Sequence, residues 1–435
     1  MRLLLVSLVL IYVSTKVVMN RNNQNPNSHF FDPDENTYTP RHSSICKERG
    51  KDYIASTNSL LLQGDTIRTD ISQKPELGVV FVTVKRKNEQ YLEAALGSFM
   101  RDLKREQREK MKVVVNIGDF NPTDHPFYNT AWLHGLVDQV GVRMSTGKLD
   151  LHLPTTSTAR MAQIQVTPVP ITDIGKNPLK TSTWHRKATL DYAFALNTCH
   201  QIGAPYCIIA EDDIVFATDW YSQVESMLAK ADRVASPNQW GYIRLFWAEK
   251  YFGWESDEVP TLVFGCITAT VLTAILLFGF CRLPARHVLD REKDRDYHQL
   301  SGRLRSEVSR VRLPLISILI LVVVVLVHAI LFILAGRNHV YKVPNGLSSM
   351  PSRGCCTQAI VYPSDIVQPL ATHLIDHSGE KPYDIMINRW MEAHQREKLA
   401  VNPPILQHVG EGSSRQMAED YWRRTPLWSF AFEKV

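Results

Sequence analysis

Apolar runs and polar punctuation divide this 435-residue chain into a legible series of elements. Leu77-Gly-Val-Val-Phe-Val-Thr-Val and Met111-Lys-Val-Val-Val-Asn-Ile-Gly-Asp are short and nearly continuously apolar, the pattern of strands buried on both faces. Cys207-Ile-Ile-Ala-Glu-Asp-Asp-Ile-Val has the same character but is interrupted by three consecutive carboxylates. Trp240 to Trp247 predicts a further strand. Between them, Glu89 to Lys110 carries Tyr91, Leu92, Ala95, Leu96, Phe99 and Leu103 in a helical rhythm, and Asp52 to Ile67, Ser182 to Cys199 and Trp220 to about Arg233 also predict helices. Strands alternating with helices over short connections predict an α/β fold, a mostly parallel sheet flanked by helices.

Three longer apolar segments break that pattern. Leu3 to Met19 is interrupted only by Ser7, Ser14, Thr15 and Lys16, and no small-x-small cleavage site follows, so it predicts an uncleaved N-terminal transmembrane anchor over 1–19. The runs 260–283 and 313–336 each reach the roughly 20 residues that cross a bilayer. A buried core helix is the alternative, but Leu321-Val-Val-Val-Val-Leu-Val is too uniformly apolar for a helix with a wet face. The connector 284–312 and its margin hold Arg282, Arg286, Arg291, Lys293, Arg295, Arg303, Arg305, Arg310 and Arg312, which makes it cytoplasmic by the positive-inside rule. A stem over 20–41 and soluble segments 42–259 and 337–435 then share the opposite, lumenal side. Ser364 to His377 and Pro382 to Lys398 predict helices, and the hundred-odd residues after the hairpin are expected to rejoin the first segment as one domain split by a membrane insertion.

Composition changes the picture little. A net charge of +5 is modest, and no basic-aromatic ladder accompanies it, so nucleic acid is not an expected partner. Cys46, Cys199, Cys207, Cys355 and Cys356 fall in the lumenal parts; five is odd, which leaves the pairing open.

The candidate chemistry sits at strand ends. Glu211, Asp212 and Asp213 close an apolar strand where α/β sheets bind ligands, and they suit a hard divalent cation carrying a polyanion. A solvated turn capping the next helix is an equal alternative. Thr83-Val84-Lys85-Arg86 brings two cations to the same sheet edge, suited to phosphate or equally to exposed loop charge. Asp119 ends the second strand and reads as a nucleotide contact or a turn residue. His408, in Gln407-His408-Val409-Gly410, is a metal ligand or a satisfied structural imidazole. Asp384, in Lys381-Pro382-Tyr383-Asp384, is a general base or a helix-dipole partner.

Taken in order, Thr83-Val-Lys-Arg86, Lys187-Ala-Thr-Leu-Asp-Tyr192, Ala210-Glu-Asp-Asp-Ile214, Lys381-Pro-Tyr-Asp384 and Leu406-Gln-His-Val-Gly410 with Ser413-Ser414 resemble a GT-A glycosyltransferase. They are most similar to the N-acetylglucosaminyltransferase IV group and its relatives. The inserted hairpin departs from ordinary members and resembles the Golgi transferases that add GalNAc to GPI anchors. This resemblance implies an inverting enzyme that moves GalNAc from UDP-GalNAc to a mannose of the GPI-anchor glycan, multi-pass in the Golgi membrane. It implies a DxD-type motif at Glu211-Asp212-Asp213, with Asp213 and His408 on Mn2+ (or Mg2+). It further implies donor contacts at Thr83, Val84, Arg86, Asp119, Lys187, Glu211 and Asp212, and Asp384 as base. A branching GlcNAc-transferase on N-glycans and a non-catalytic glycan-binding protein on the same fold are the competing expectations.

Overall fold

A computed structural model describes residues 2–32, 40–63, 74–119, 121–144, 163–168, 181–234, 240–249, 254, 258–282, 302–339, 344–350, 356–410 and 427–434. In chain order its elements begin with α1 (Arg2–Asn22), α2 (His42–Leu62), β1 (Leu77–Thr83), α3 (Leu92–Met100), α4 (Arg105–Glu109) and β2 (Met111–Ile117). There follow α5 (Ala131–Leu136), β3 (Gln139–Met144), β4 (Gln163–Pro168), α6 (Thr181–Ile202), β5 (Tyr206–Glu211), β6 (Ile214–Phe216), α7 (Trp220–Val234) and β7 (Trp240–Arg244). The remainder holds α8 (Val259–Arg282), α9 (Gly302–Leu334), β8 (Gly346–Ser349), β9 (Ala359–Pro363), α10 (Ser364–Asp376), α11 (Tyr383–Ala393), β10 (Glu397–Asn402) and β11 (Leu406–His408).

Two compact units result. One comprises Met1–Thr37 with Phe252–Lys342 and contains α1, α8 and α9. Among the described residues, Leu4–Asn22 is the one helix long and apolar enough to cross a membrane; Val259–Leu272 and Ile318–Leu334 are shorter apolar stretches. His328 Nε2 meets Ser14 Oγ at 2.9 Å, and Arg337 Nε donates to both Glu258 oxygens at 2.9 and 2.8 Å. Of the expected basic connector, 284–301 lie outside the described residues, as does 283 at the end of the preceding apolar run, and 302–312 belong to α9. Part of the expected stem, 33–39, also lies outside them.

The other unit, Tyr38–Tyr251 with Val343–Val435, is built on a nine-stranded sheet of order β4-β3-β2-β1-β5-β9-β7-β10-β8. Pairing is parallel through β4, β3, β2, β1 and β5, and between β7 and β10; β9 runs antiparallel to β5 and β7. The two apolar faces explain the unbroken strand sequences. Val79, Phe81, Val113, Val115, Ile208 and Ala210 face one core, and Val80, Val114, Ile209, Ile360 and Tyr362 face the other.

Local structure departs from the expected elements in several places, and three of them shape the sheet and its flanking helices. The helix expected over 89–110 breaks into α3 and α4: Leu103 N–H turns to Met100 O at 3.2 Å, while Phe99 O, the carbonyl that would continue the helix, accepts from Trp220 Nε1 at 2.8 Å. The helix expected to reach Lys398 stops at Ala393: Gln395 takes φ 54°, and Arg396 N–H closes back on Met391 O at 2.8 Å, leaving the next residues to form β10. The strand Ala359–Pro363 was not expected at all, yet it lies between β5 and β7 near the middle of the sheet.

Candidate active site

Parallel registry sets the site. Val82 pairs with Glu211 and Thr83 with Ile117, so the ends of β1, β2 and β5 lie side by side. One residue further, Thr83 Oγ1 donates to Asp212 Oδ2 at 2.8 Å, and Asp119 accepts the Lys85 backbone N–H at 3.0 and 3.1 Å. Val84 packs against Gly118, where an added Cβ would lie 3.0 Å from Val84 Cγ1. Lys187 donates to Asp191 one helical turn on, at 2.7 Å, and its charge also acts on Asp119.

A second small sheet supplies the other side. β11 runs antiparallel to β6 with His408 opposite Ile214, and Val409 N–H donates to Asp213 O at 2.8 Å. His408 Nε2 therefore reaches Asp213 Oδ2 at 3.2 Å. The backbone must pass close: a Cβ on Gly410 would lie 2.6 Å from that same oxygen. β11 is itself anchored, since Gln407 Nε2 donates to Ser429 O at 2.8 Å and Ser429 N–H returns to Gln407 Oε1 at 2.9 Å.

Arg86 is placed more centrally than an exposed loop charge would be. Its Nη2 bridges Asp212 Oδ1 at 2.5 Å and Asp213 Oδ2 at 3.0 Å. Burial opposes the Arg86 charge, but the two carboxylates more than offset it, and the guanidinium stays protonated. Burial likewise pushes Asp213 up, yet Arg86 and His408 hold it well below the usual carboxylate range. Burial raises Asp212 despite Arg86, and burial with the Asp213 charge raises Glu211 to about 7. His408 is raised, because Asp213 outweighs its burial. Burial also raises Asp119.

Glu211 points to a different set of partners. Its Oε1 accepts from Thr357 Oγ1 at 2.9 Å and from Tyr383 Oη at 3.0 Å. Asp384 is half-buried in the first turn of α11, where its carboxylate accepts the Ile385 N–H at 2.9 Å. The structure thus brings Thr83, Arg86, Asp212, Asp213 and His408 into one bonded cluster, and joins Glu211 to it along the chain. Asp384 enters only as the neighbour of Tyr383. Ser413 and Ser414 lie outside the described residues.

His125 went unnoticed in the sequence because nothing around it is periodic or clustered. It is buried behind Thr83, with Nε2 at 3.1 Å from Thr83 Oγ1 and Nδ1 accepting the Phe127 N–H at 3.3 Å. With Nδ1 occupied as acceptor, the neutral ring donates through Nε2, and Thr83 passes its own proton toward Asp212. Burial lowers His125 to about 4, which keeps that neutral form.

The donor set was tested for a divalent ion. Asp213 Oδ1 and His408 Nδ1 are buried without a hydrogen-bond partner among the described residues, and such orphans mark places where an ion or water is accommodated. Asp212 and Asp213 share the one Arg86 guanidinium, with Glu211 next to them in the chain, so the cluster favours added positive charge. One carboxylate and one imidazole fit Mn2+ or Mg2+ with positions left for diphosphate and water. Among the described residues no group of three or more His, Cys, Asp or Glu could hold a metal ion.

No curated protein matches the chain in sequence. Among solved structures, the mannosyltransferase PcManGT from Pyrobaculum calidifontis, in complex with GDP-Man and Mn2+, matches at 16% identity and a TM-score of 0.20. That match covers 47% of this chain and 44% of that one, so the chain spans under half of its length. The family model described as GPI-N-acetylgalactosamine transferase PGAP4 matches residues 77–407, from the first residue of β1 to the middle of β11. The chain belongs to the GPI-N-acetylgalactosamine transferase PGAP4 family of glycosyltransferases.

Proposed function

We propose that this protein transfers GalNAc from UDP-GalNAc to a mannose of the GPI-anchor glycan, with inversion at the anomeric carbon. The observation that carries the reading is the contact between Asp213 and His408, a carboxylate and an imidazole with unpartnered buried atoms beside the strand ends. Asp213 and His408 would hold a divalent ion, Mn2+ by preference because of the imidazole or Mg2+, which supplies Lewis-acid neutralisation of the leaving diphosphate.

This chain's own residues do the rest. Thr83, Val84, Arg86, Asp119 and Lys187 bind the nucleotide end of the donor, with Glu211 and Asp212 toward ribose and sugar. Asp384 takes the proton from the acceptor hydroxyl. The freed oxygen forms the new bond to the anomeric carbon as the bond to the diphosphate breaks, its electron pair leaving with UDP. An apolar N-terminal helix and the hairpin 260–336 keep this unit at a Golgi membrane, facing the lumen, where a membrane-embedded acceptor is presented.

A purified-enzyme screen over UDP-sugars, with and without Mn2+ and with a GPI-glycan acceptor, tests the proposal. Mn2+-dependent release of UDP from UDP-GalNAc with transfer to mannose is expected. Preference for UDP-GlcNAc and an N-glycan acceptor would replace it with the branching-enzyme reading.

A further inference from the structure

The two segments of the catalytic unit meet at Tyr383. Its hydroxyl donates to Glu211 Oε1 at 3.0 Å, so a phenol from the second segment bonds the carboxylate that ends β5 in the first. Its ring stacks on Tyr192 of α6, with centroids 4.8 Å apart and 28° between planes. Tyr192 in turn meets Tyr362 of β9 through their hydroxyls at 2.8 Å. Burial and the Glu211 charge keep the Tyr383 phenol protonated, which makes it the donor.

The rest of α11 explains why this matters. Its far side is fixed at Asn388, whose Oδ1 accepts from Tyr242 Oη at 2.7 Å and from Arg244 Nη2 at 3.0 Å. Its N-terminal turn has Pro382 as cap residue and no side-chain capping bond. The turn that carries Asp384 is therefore tied down through Tyr383, by a ring stack that fixes place and by a hydroxyl that donates to Glu211 and accepts from Thr357 Oγ1 at 3.2 Å, which fixes rotation.

We propose that Tyr383 is a positioning residue for the transfer reaction: by bonding Glu211 and stacking on Tyr192 it holds the first turn of α11, and hence Asp384, in register with the carboxylate end of β5. This rests on the reading of Asp384 as the base. Tyr383 itself neither binds donor nor moves a proton; it acts through the placement of its neighbour.

Tyr383→Phe keeps the stack and removes the bond, so the fold survives. In the full-length protein, kcat is expected to fall roughly 10- to 100-fold while KM and Mn2+-dependent UDP affinity stay within about twofold. Thr357→Val removes the other donor to the same Glu211 oxygen, and with it the 3.2 Å bond from Thr357 Oγ1 to the Tyr383 hydroxyl, but leaves the Tyr383–Glu211 bond and the Tyr192 stack in place, and it is expected to cost kcat far less. Equal losses in both variants, or equal losses of kcat and UDP affinity, would overturn the proposal in favour of an effect through Glu211. Amide hydrogen exchange over 383–388 supplies a readout independent of turnover: Tyr383→Phe should speed exchange there, and an unchanged rate overturns the positioning role. If the parent protein shows no UDP-sugar binding or turnover, the transferase reading fails while the exchange result still decides the anchoring.

Discussion

Asp213 and His408 stand 195 positions apart in the chain and meet at 3.2 Å, Oδ2 to Nε2. The contact is a consequence of registry: β11 pairs with β6, His408 falls opposite Ile214, and Gly410 continues past the Asp213 carboxylate.

That closeness makes Gly410 a sensitive position. Gly410→Ala places a Cβ 2.6 Å from Asp213 Oδ2, and the carboxylate must move. Mn2+-dependent UDP-sugar affinity should fall by at least the roughly 10- to 100-fold seen when a metal ligand loses its outer support. Calorimetric titration with UDP and Mn2+ checks this; unchanged affinity would separate Asp213 from metal binding. Asp213→Ala should abolish transfer.

Asp384→Asn separates binding from chemistry. The amide cannot take the acceptor proton, so turnover should drop about 10²- to 10⁴-fold. UDP-sugar affinity should remain, since among the described residues the carboxylate bonds the Ile385 N–H and no donor-side residue. Near-normal turnover would identify another base.

Two buried groups pull stability in opposite directions with pH. His125 is lowered by burial from 6.5 to about 4, so from pH 6.5 down to 4 the unfolded chain binds a proton that the folded chain refuses. Its contribution is complete above pH 6.5 and is lost as pH falls through that window. Glu249 is raised by burial from 4.5 to about 7, despite accepting from the Ala431 and Phe430 N–H groups. The folded state holds its proton, so this contribution is complete below pH 4.5 and is lost as pH rises toward 7. Melting profiles should show Glu249→Gln gaining stability with pH more steeply than the parent between pH 4.5 and 7. Loss of the imidazole in His125→Asn should flatten the rise between pH 4 and 6.5. Profiles parallel to the parent would contradict both assignments.

Cys199 and Cys207 form a disulfide across 8 positions, tying the end of α6 to the start of β5. Cys356 is also disulfide-bonded, Cys46 is free and buried, and Cys355 lies outside the described residues. Replacing Cys199 and Cys207 with Ser should cost about 2.5 kcal/mol through loop entropy in the unfolded chain. Thermal melts with and without reductant measure it. Transfer kinetics well below the melting point should change little, because the bond lies at the opposite end of β5 from Glu211.

The site was half legible before any coordinates. Glu211, Asp212 and Asp213 announce themselves because three acids on a greasy strand are chemically conspicuous. The family resemblance supplied Asp384 and His408, each of which alone reads as a helix-dipole partner or a satisfied imidazole. Arg86 was visible as a cation at the sheet edge, but its grip on two carboxylates depends on how the β1 turn folds over β5. His125 carried no signal as a site residue, and Tyr383 stood only as a member of the Lys381-Pro-Tyr-Asp384 element without a role of its own, since their meaning lies in partners 42 and 172 positions away.

By itself the sequence determined the class of fold and the glycosyltransferase resemblance, because hydrophobic continuity and strand-end carboxylates are local properties. It also marked the apolar segments, since their composition is read residue by residue. Only the tertiary structure decided that β9 enters between β5 and β7, that Arg86 bridges Asp212 and Asp213, and that Tyr383 bonds Glu211. Those facts follow from strand order and registry between distant segments, which a one-residue shift would undo and which no local pattern encodes.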